Sequence, residues 1–150
     1  MRAVIQRVKA SSVTVDGEVV GEIGKGFNLL LGIKEDDTEA DMDYIINKVV
    51  GLRVFEDADD KMNLSLGDVD GELLVVSQFT LYGDCRKGRR PSFIRSGPVA
   101  LAEEKYKRFV EKISAQPIKK VAFGEFQADM AVTIIGDGPV TILLDSEKNF

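Results

Sequence analysis

The Asp16-Gly17 dipeptide constrains the fold most strongly, because it lies between two stretches in which apolar and polar residues alternate. Residues 12–15 and 18–23 carry this alternation, and Asp-Gly between such stretches favours the tight turn of a β-hairpin. Residues 2–9 also have the pattern of a strand, and the nearly continuous apolar run from Phe27 to Ile33 is typical of a central strand. The first part of the chain is therefore predicted to form a β-sheet.

Two helices are predicted among the strands. Thr38 is a candidate N-cap with Asp41 three residues later, and apolar residues follow at helical spacing until about Gly51. A second helix is predicted over residues 98–115, with Pro98 in its first turn. Its buried stripe is expected to comprise Ala102, Tyr106, Phe109, Val110 and Ile113.

The remaining segments predict short strands joined by turns. Residues 56–63 are predicted to be an acidic turn, and Gly136-Asp137-Gly138 is predicted to separate the last two strands. The predicted strands cover residues 52–55, 73–79, 119–123, 128–135 and 139–145. Two helices are too few for a doubly wound parallel sheet. The predicted fold class is α/β, a single layered domain over residues 1–150 with mostly antiparallel or mixed β-sheets, a barrel-like β/β/α sandwich and two main helices.

The chain contains no histidine, and this absence limits its chemistry. A Ser-His-Asp or Cys-His site is excluded, and so is a zinc site that depends on imidazole. The single cysteine, Cys85, excludes a thiolate-rich metal cage and an internal disulfide. Residues 35–37 and 56–60 are acidic but lack the spacing of a calcium-binding loop. The sequence therefore predicts no imidazole-dependent zinc site, no thiolate cage and no calcium-binding loop.

Positive charge is concentrated in one short segment, although the formal net charge of the chain is −5. Arg86, Lys87, Arg89 and Arg90 lie within five consecutive residues, and such a run either grips phosphate groups or is a solvated loop. No apolar run is long enough to cross a bilayer, and Gln6-Arg7 interrupts the apolar N-terminus, unlike a secretion signal. We therefore expect a cytoplasmic protein.

Two further segments carry candidate site residues. Ser77-Gln78-Phe79-Thr80 ends an apolar strand, so it either builds a site or only satisfies backbone groups in a turn. Neither hydroxyl has a base nearby in sequence to activate it as a nucleophile. Gly138-Pro139-Val140-Thr141 follows Gly136-Asp137 and predicts either a plain hairpin turn or a rigid element that another group approaches closely.

Six segments in this order resemble the D-aminoacyl-tRNA deacylase family over essentially the whole chain. They are residues 1–8, 52–57, 75–81, 88–93, 128–130 and 137–141. The loop at Cys85 and the Ser96-Gly97-Pro98 junction are less typical of the family, and Gly136 stands where the family usually has Asn before Asp-Gly-Pro-Val-Thr. The resemblance therefore implies no side-chain contact from position 136.

The resemblance implies a homodimeric enzyme without metal or cofactor that cleaves the ester between a D-amino acid and the terminal adenosine of tRNA. It also implies removal of glycine mischarged on tRNA(Ala). Gly138 and Pro139 would be held cis and reach into the partner subunit's site as a chiral filter, oriented by Arg7. Ser77, Gln78, Phe79 and Thr80 would line the catalytic pocket, and the substrate pocket would further include Ala128, Met130, Val140 and Thr141.

The missing histidine favours hydrolysis assisted by the substrate's own ribose 2′-hydroxyl. The protein would then supply positioning, and the backbone N–H of Phe79 or Thr80 would stabilise the oxyanion. A covalent role for the Thr80 hydroxyl ranks second because no base is visible. Two alternatives stay open: a related editing deacylase for another mischarged aminoacyl-tRNA, and a non-catalytic tRNA-binding module that uses residues 86–90.

Overall fold

A computed structural model describes all 150 residues. The helices are α1 (Glu39–Gly51) and α2 (Val99–Ser114), and a 3₁₀ turn spans Phe79–Tyr82. The strands are β1 (Arg2–Val15), β2 (Glu18–Ile23), β3 (Gly26–Gly32), β4 (Phe55–Glu56), β5 (Met62–Leu64), β6 (Glu72–Ser77), β7 (Lys120–Phe123) and β8 (Ala131–Asp145). Neither helix combines the length and the apolar content that a bilayer crossing requires.

Strand β1 organises the sheet. Strands β2 and β3 pair antiparallel with successive halves of β1, and their register is continuous from the pair Arg2–Gly32 to the pair Ser11–Ile23. They are therefore two parts of one return strand that follows the Asp16-Gly17 turn. Both turn residues have positive φ, 49° and 80°, as a two-residue hairpin turn requires. The predicted hairpin is confirmed, although the two strands predicted before it are one.

The other strands complete a mixed, barrel-shaped sheet. Strand β8 pairs antiparallel with β1, whereas β3 pairs parallel with β6 and β6 pairs parallel with β7. The two ends of this order, β2 and β7, lie against each other. A Cβ added at Gly21 would lie only 2.4 Å from the carbonyl oxygen of Phe123. The barrel is thus nearly closed, which confirms the predicted fold class.

Side chains alternate between two apolar clusters on opposite faces of the sheet. Leu73 and Val75 face the main core, which both helices cover, whereas Leu74 and Val76 join the smaller cluster with Val8. The predicted capping box of α1 is present, since Thr38 and Asp41 bond reciprocally. The predicted stripe of α2 is also correct, with three residues buried and two at the core edge: Tyr106, Phe109, Ile113, Ala102 and Val110.

Three predicted strand boundaries are wrong. The strand predicted over residues 52–55 is reduced to β4, and its partner β5 begins within the predicted acidic turn. This turn is tight because the Asp57 carboxylate accepts hydrogen bonds from two backbone N–H groups. The strand predicted over residues 73–79 ends at Ser77, and the 3₁₀ turn begins two residues later, at Phe79. Residues 131–145 form one strand and not two, because β8 pairs with β1 on both sides of residues 137–140, which leave the ladder as a bulge.

Asn28 is a buried polar side chain in the middle of β3. Its Oδ1 accepts a hydrogen bond from the Ser11 hydroxyl at 3.1 Å, but its Nδ2 has no partner. The Ser11 hydroxyl also lies 2.7 Å from the carbonyl oxygen of Thr133, so it retains an acceptor without Asn28. A buried N–H group that has lost water without gaining a partner is destabilising.

We therefore predict that Asn28→Leu leaves the unfolding free energy unchanged or raises it by about 1 kcal/mol, because the unpaired amide is removed. Urea denaturation at pH 7 measures the change. Asn28→Asp serves as the contrasting variant and should destabilise, since it buries a charge. A clear loss of stability in Asn28→Leu would show that Nδ2 does have a partner.

Candidate active site

The end of β6 positions the segment Ser77-Gln78-Phe79-Thr80. The strand is fully buried from Leu73 to Val76 and lies between two parallel neighbours, so its end is fixed by the core. The Gln78 N–H extends the pairing by donating to the Leu31 carbonyl at 2.7 Å, and the chain then enters the 3₁₀ turn. The Gln78 side-chain amide donates to the Thr80 hydroxyl. These contacts make the segment a rigid edge of the barrel.

A largely apolar cleft of about 790 Å³ opens beside this edge, and twelve of its nineteen lining residues are hydrophobic. It contains five of the predicted site residues, from two separate parts of the chain: Ser77, Gln78, Phe79, Ala128 and Met130. Thr80 does not line it directly, but holds Gln78, which does. The structure therefore brings the predicted strand-end segment together with Ala128 and Met130.

Much of the opposite wall was not predicted from the sequence. It comes from the segment before α2 and from the turn before β8, and includes Phe93, Ile94, Ser96, Gly97, Pro98, Val99, Phe126 and Gln127. The Gly97 N–H donates to the Ile33 carbonyl at 3.3 Å, which holds this wall beside the end of β3. The available signal was the apolar pair Phe93-Ile94 inside an otherwise polar loop.

The cleft offers backbone donors, and its one carboxylate, Glu35, makes no hydrogen bond with the Ser77 or Thr80 hydroxyl. Phe79 and Thr80 open the 3₁₀ turn, and the first N–H groups of a helical turn have no acceptor within it. The group that contacts the Thr80 hydroxyl is an amide, which cannot take its proton. Among the lining residues only Glu35 is charged. No group of three His, Cys, Asp or Glu side chains is arranged to hold a metal ion.

Another cleft, of about 520 Å³, lies between α1 and α2 and is lined mostly by charged residues. These side chains are largely occupied with one another or with backbone. Arg108 pairs with Glu39, and Lys105 donates to the carbonyls of Glu35 and Asp37. This cleft contains none of the predicted site residues.

The Gly138-Pro139 pair lies in the bulge of β8. The β1–β8 ladder runs to the pair Gln6–Thr141 and resumes at Val8–Gly136, so residues 137–140 stand out opposite Arg7. The Gly138–Pro139 peptide bond is cis. Gly138 has a φ of +118°, and a Cβ there would lie 3.0 Å from Nη2 of Arg7. A side chain at position 138 is therefore excluded by both conformation and space.

The Arg7 guanidinium holds this bulge and is only 5 % exposed. Its Nε donates to the Asp137 carbonyl at 3.1 Å, and its Nη1 donates to the Val54 carbonyl at 2.6 Å. Nη1 also lies 2.9 and 3.0 Å from the two carboxylate oxygens of Glu56. Arg7 was predicted to orient the Gly-Pro pair, and these contacts show how it reaches the bulge. The role of Glu56 was not predicted.

The cleft and the bulge are separate within one chain. Arg7, Gly138, Pro139, Val140 and Thr141 do not line the cleft, and Gly138 and Pro139 are exposed. A single copy of the chain thus presents a pocket at one place and the predicted filter at another.

The basic residues 86–90 lie at the tip of a loop whose ends pair as Asp84 and Ser92, through two backbone hydrogen bonds of 2.8 and 2.9 Å. Arg86 folds back on Asp84 with contacts of 2.9 and 2.6 Å, and this hydrogen bonding lowers the pKa of the Asp84 carboxyl. Lys87, Arg89 and Arg90 are exposed and make no ion pair. Three of the four residues predicted to contact phosphate are therefore exposed cations that form no ion pair within the chain.

The contact with Arg7 lowers the pKa of the Glu56 carboxyl below its usual range. A lowered carboxyl pKa stabilises the folded protein above the ordinary Glu pKa of about 4.3, and this contribution is lost as the pH falls through the folded-state pKa. We predict that Glu56→Gln is less stable than the wild type at pH 7 and that the difference disappears toward about pH 3.

Urea denaturation of both proteins across this pH range tests the prediction. Glu18→Gln is the matched control, because Glu18 is exposed and forms no ion pair with Arg7. A difference between Glu56→Gln and wild type that stays constant down to pH 3 would contradict the assigned ion pair.

Comparison with known proteins gives a consistent family. Residues 4–145 match the family described as D-Tyr-tRNA(Tyr) deacylase. Two proteins named D-aminoacyl-tRNA deacylase, from Clostridium beijerinckii and Natranaerobius thermophilus, are 59% and 56% identical to this chain over 150 residues. Each alignment covers 100% of both sequences.

Solved structures share the fold. One described as "c-Myc DNA Unwinding Element Binding Protein" superposes with a TM-score of 0.90 at 42% identity, covering 97% of this chain and 98% of the other. One described as "Structural Analysis of a probable eukaryotic D-amino acid tRNA deacylase" has a TM-score of 0.80 at 17% identity, with coverages of 95% and 97%. The second likeness concerns the fold alone.

Proposed function

The chain belongs to the D-Tyr-tRNA(Tyr) deacylase family, and we propose that it hydrolyses the ester of D-aminoacyl-tRNA and rejects L-aminoacyl-tRNA through its Gly138-Pro139 backbone. Its products are the free D-amino acid and tRNA, and glycine mischarged on tRNA(Ala) is a further substrate. The observation that carries the proposal is the bulge of residues 137–140, which the buried Arg7 guanidinium holds against β1. The enzyme works in the cytoplasm, where its tRNA substrate is found.

A backbone filter explains how one site accepts many D-amino acids. Gly138 and Pro139 present main-chain atoms and a rigid ring, which sense the substituents at the substrate's α-carbon and not the identity of its side chain. A discrimination of about 10⁴ corresponds to roughly 5.5 kcal/mol. A steric clash against a rigid backbone supplies this, whereas one neutral hydrogen bond contributes only ~1 kcal/mol. Glycine has no side chain to clash and is accepted.

The filter acts on the cleft of a second subunit. Separation of bulge and cleft within one chain supports this arrangement, because a two-fold dimer places the same bulge beside the partner's cleft. An apolar face suited to subunit contact adjoins the bulge. Val4 pairs with both Leu30 and Leu143, so the three side chains share one face, and Leu143 is 54% exposed. We therefore propose a homodimer.

The hydrolysis itself asks little of the protein's side chains. The ribose 2′-hydroxyl beside the scissile ester assists the attacking water, and the cleft holds both in position. The N–H groups of Phe79 and Thr80 stabilise the developing oxyanion. This assignment rests on the start of the 3₁₀ turn at Phe79 and on the lack of a base near the Thr80 hydroxyl.

The first test compares release of D-tyrosine and L-tyrosine from the same tRNA by the purified protein. We expect a ratio of kcat/KM of about 10⁴ in favour of the D-isomer, the value that a clash of the size above allows. Equal rates would exclude the chiral filter. Binding of tRNA without turnover of either substrate would instead support the non-catalytic tRNA-binding module.

The role of Thr80 is tested separately by Thr80→Ala. We predict that kcat stays within about tenfold of wild type, a change of ~1.4 kcal/mol, because only the hydrogen bond to Gln78 is lost. Single-turnover hydrolysis of D-tyrosyl-tRNA measures it, and Thr80→Ser is the matched control that keeps the hydroxyl. Complete inactivity of the alanine variant, with normal folding and tRNA binding, would assign the hydroxyl as the nucleophile.

A further inference from the structure

Three large apolar side chains are exposed at the mouth of the cleft. Ile94 is 92% exposed, Phe79 58% and Val99 53%, and all three line the cleft. We call them the apolar rim. The ring of Phe93 packs edge-on against Phe79, with centroids 5.1 Å apart, so the rim has a fixed aromatic support. Exposed apolar groups that cluster at a cleft are typical of a binding surface.

The basic loop, residues 84–92, immediately precedes Phe93, the aromatic support of the apolar rim, in the chain. Its Lys87, Arg89 and Arg90 make no ion pair. The chain as a whole is acidic, with a net charge of −5, so these cations are a local reversal of sign. A ligand that fits both features has flat apolar groups and regularly spaced negative charges, which is the chemistry of single-stranded nucleic acid.

We propose that the apolar rim binds an unpaired nucleotide of the tRNA 3′ end at the mouth of the cleft, with its base on Ile94 and Phe79 and adjacent phosphates on the basic loop. This inference rests on the proposed function and adds to it a site for nucleotides upstream of the terminal adenosine. Stacking on an apolar surface tolerates any base, because every base has a π-face.

A second copy of the chain is the competing occupant, and charge disfavours it. A two-fold contact centred on the apolar rim would bring two basic loops together, since each side of such a contact presents the same patch. Like charges would then face each other. Nucleic acid meets the same loops with opposite charge.

The test uses two substrates that differ only upstream of the terminal adenosine: D-tyrosyl-tRNA and the D-tyrosyl ester of adenosine. For Ile94→Ser we expect KM for D-tyrosyl-tRNA to rise about five- to tenfold, the loss of a modest stacking contact. KM for the adenosine ester should rise less than KM for D-tyrosyl-tRNA, because the ester has no upstream nucleotide to stack on Ile94. Ile94→Phe should restore the wild-type KM, and Val19→Ser, which removes another exposed apolar side chain at 57% exposure, should have no effect.

Binding of uncharged tRNA keeps the inference testable even without turnover. Ile94→Ser should weaken binding about five- to tenfold while leaving its salt dependence unchanged, whereas Lys87→Ala/Arg89→Ala should lower the slope of log K against log salt by about 1.4 to 1.8. An equal rise in KM for both substrates would show that Ile94 contacts the terminal adenosine and not an upstream nucleotide, which would overturn the inference. Unchanged tRNA binding, or a shift to monomer in sedimentation, would also overturn it. If the wild-type protein does not hydrolyse D-tyrosyl-tRNA but Ile94→Ser still weakens tRNA binding, only the proposed function is overturned.

Discussion

The buried guanidinium of Arg7 is the interaction on which the candidate site depends. A charge with 5 % exposure is tolerated only when its donors are satisfied, and Arg7 satisfies them with the Asp137 carbonyl, the Val54 carbonyl and the Glu56 carboxylate. These partners come from β8, from β4 and from the residue before β4. Loss of a partner would leave a donor of this buried guanidinium unpaired, which is destabilising. The bulge therefore cannot relax into the ladder without disturbing two other segments.

Local signals in the sequence predict much of the fold. The Asp16-Gly17 turn, the Thr38 capping box and the stripe of α2 each depend on residues within one turn or one helix, and each is confirmed. The misplaced boundaries have distant causes. Strand β8 stays one strand because β1 pairs on both sides of its bulge, and no local pattern distinguishes this from two strands. The pairing of β4 with β5 likewise depends on the hydrogen bonds that Asp57 accepts within the turn, whereas the sequence of this turn indicates only that it is acidic.

The same division applies to the site. Ser77-Gln78-Phe79 was identified because a buried strand ends there, and strand ends are visible in a sequence. The opposite wall was missed because Ile94 and Pro98 reach the cleft through contacts between distant segments, such as the contact of Gly97 with the end of β3. Glu56 was missed because its partner Arg7 is 49 positions away. The order of the family motifs identified Gly138-Pro139 as a candidate site, which hydrophobic periodicity could not do. It did not indicate how the fold holds this pair.

In the proposed function, the cleft without a histidine and the filter made of backbone are two consequences of one kind of site. An activated ester with a neighbouring hydroxyl needs orientation more than acid–base help, so the protein's task is to hold atoms still. Side chains that titrate or change rotamer serve that task poorly, whereas a strand end inside a barrel and a bulge clamped by a buried charge serve it well. The rigid parts of this chain are the edge of β6 and the bulge at Arg7, and they are also where the candidate site residues lie. Selection by shape then follows from the same stiffness that positions the ester.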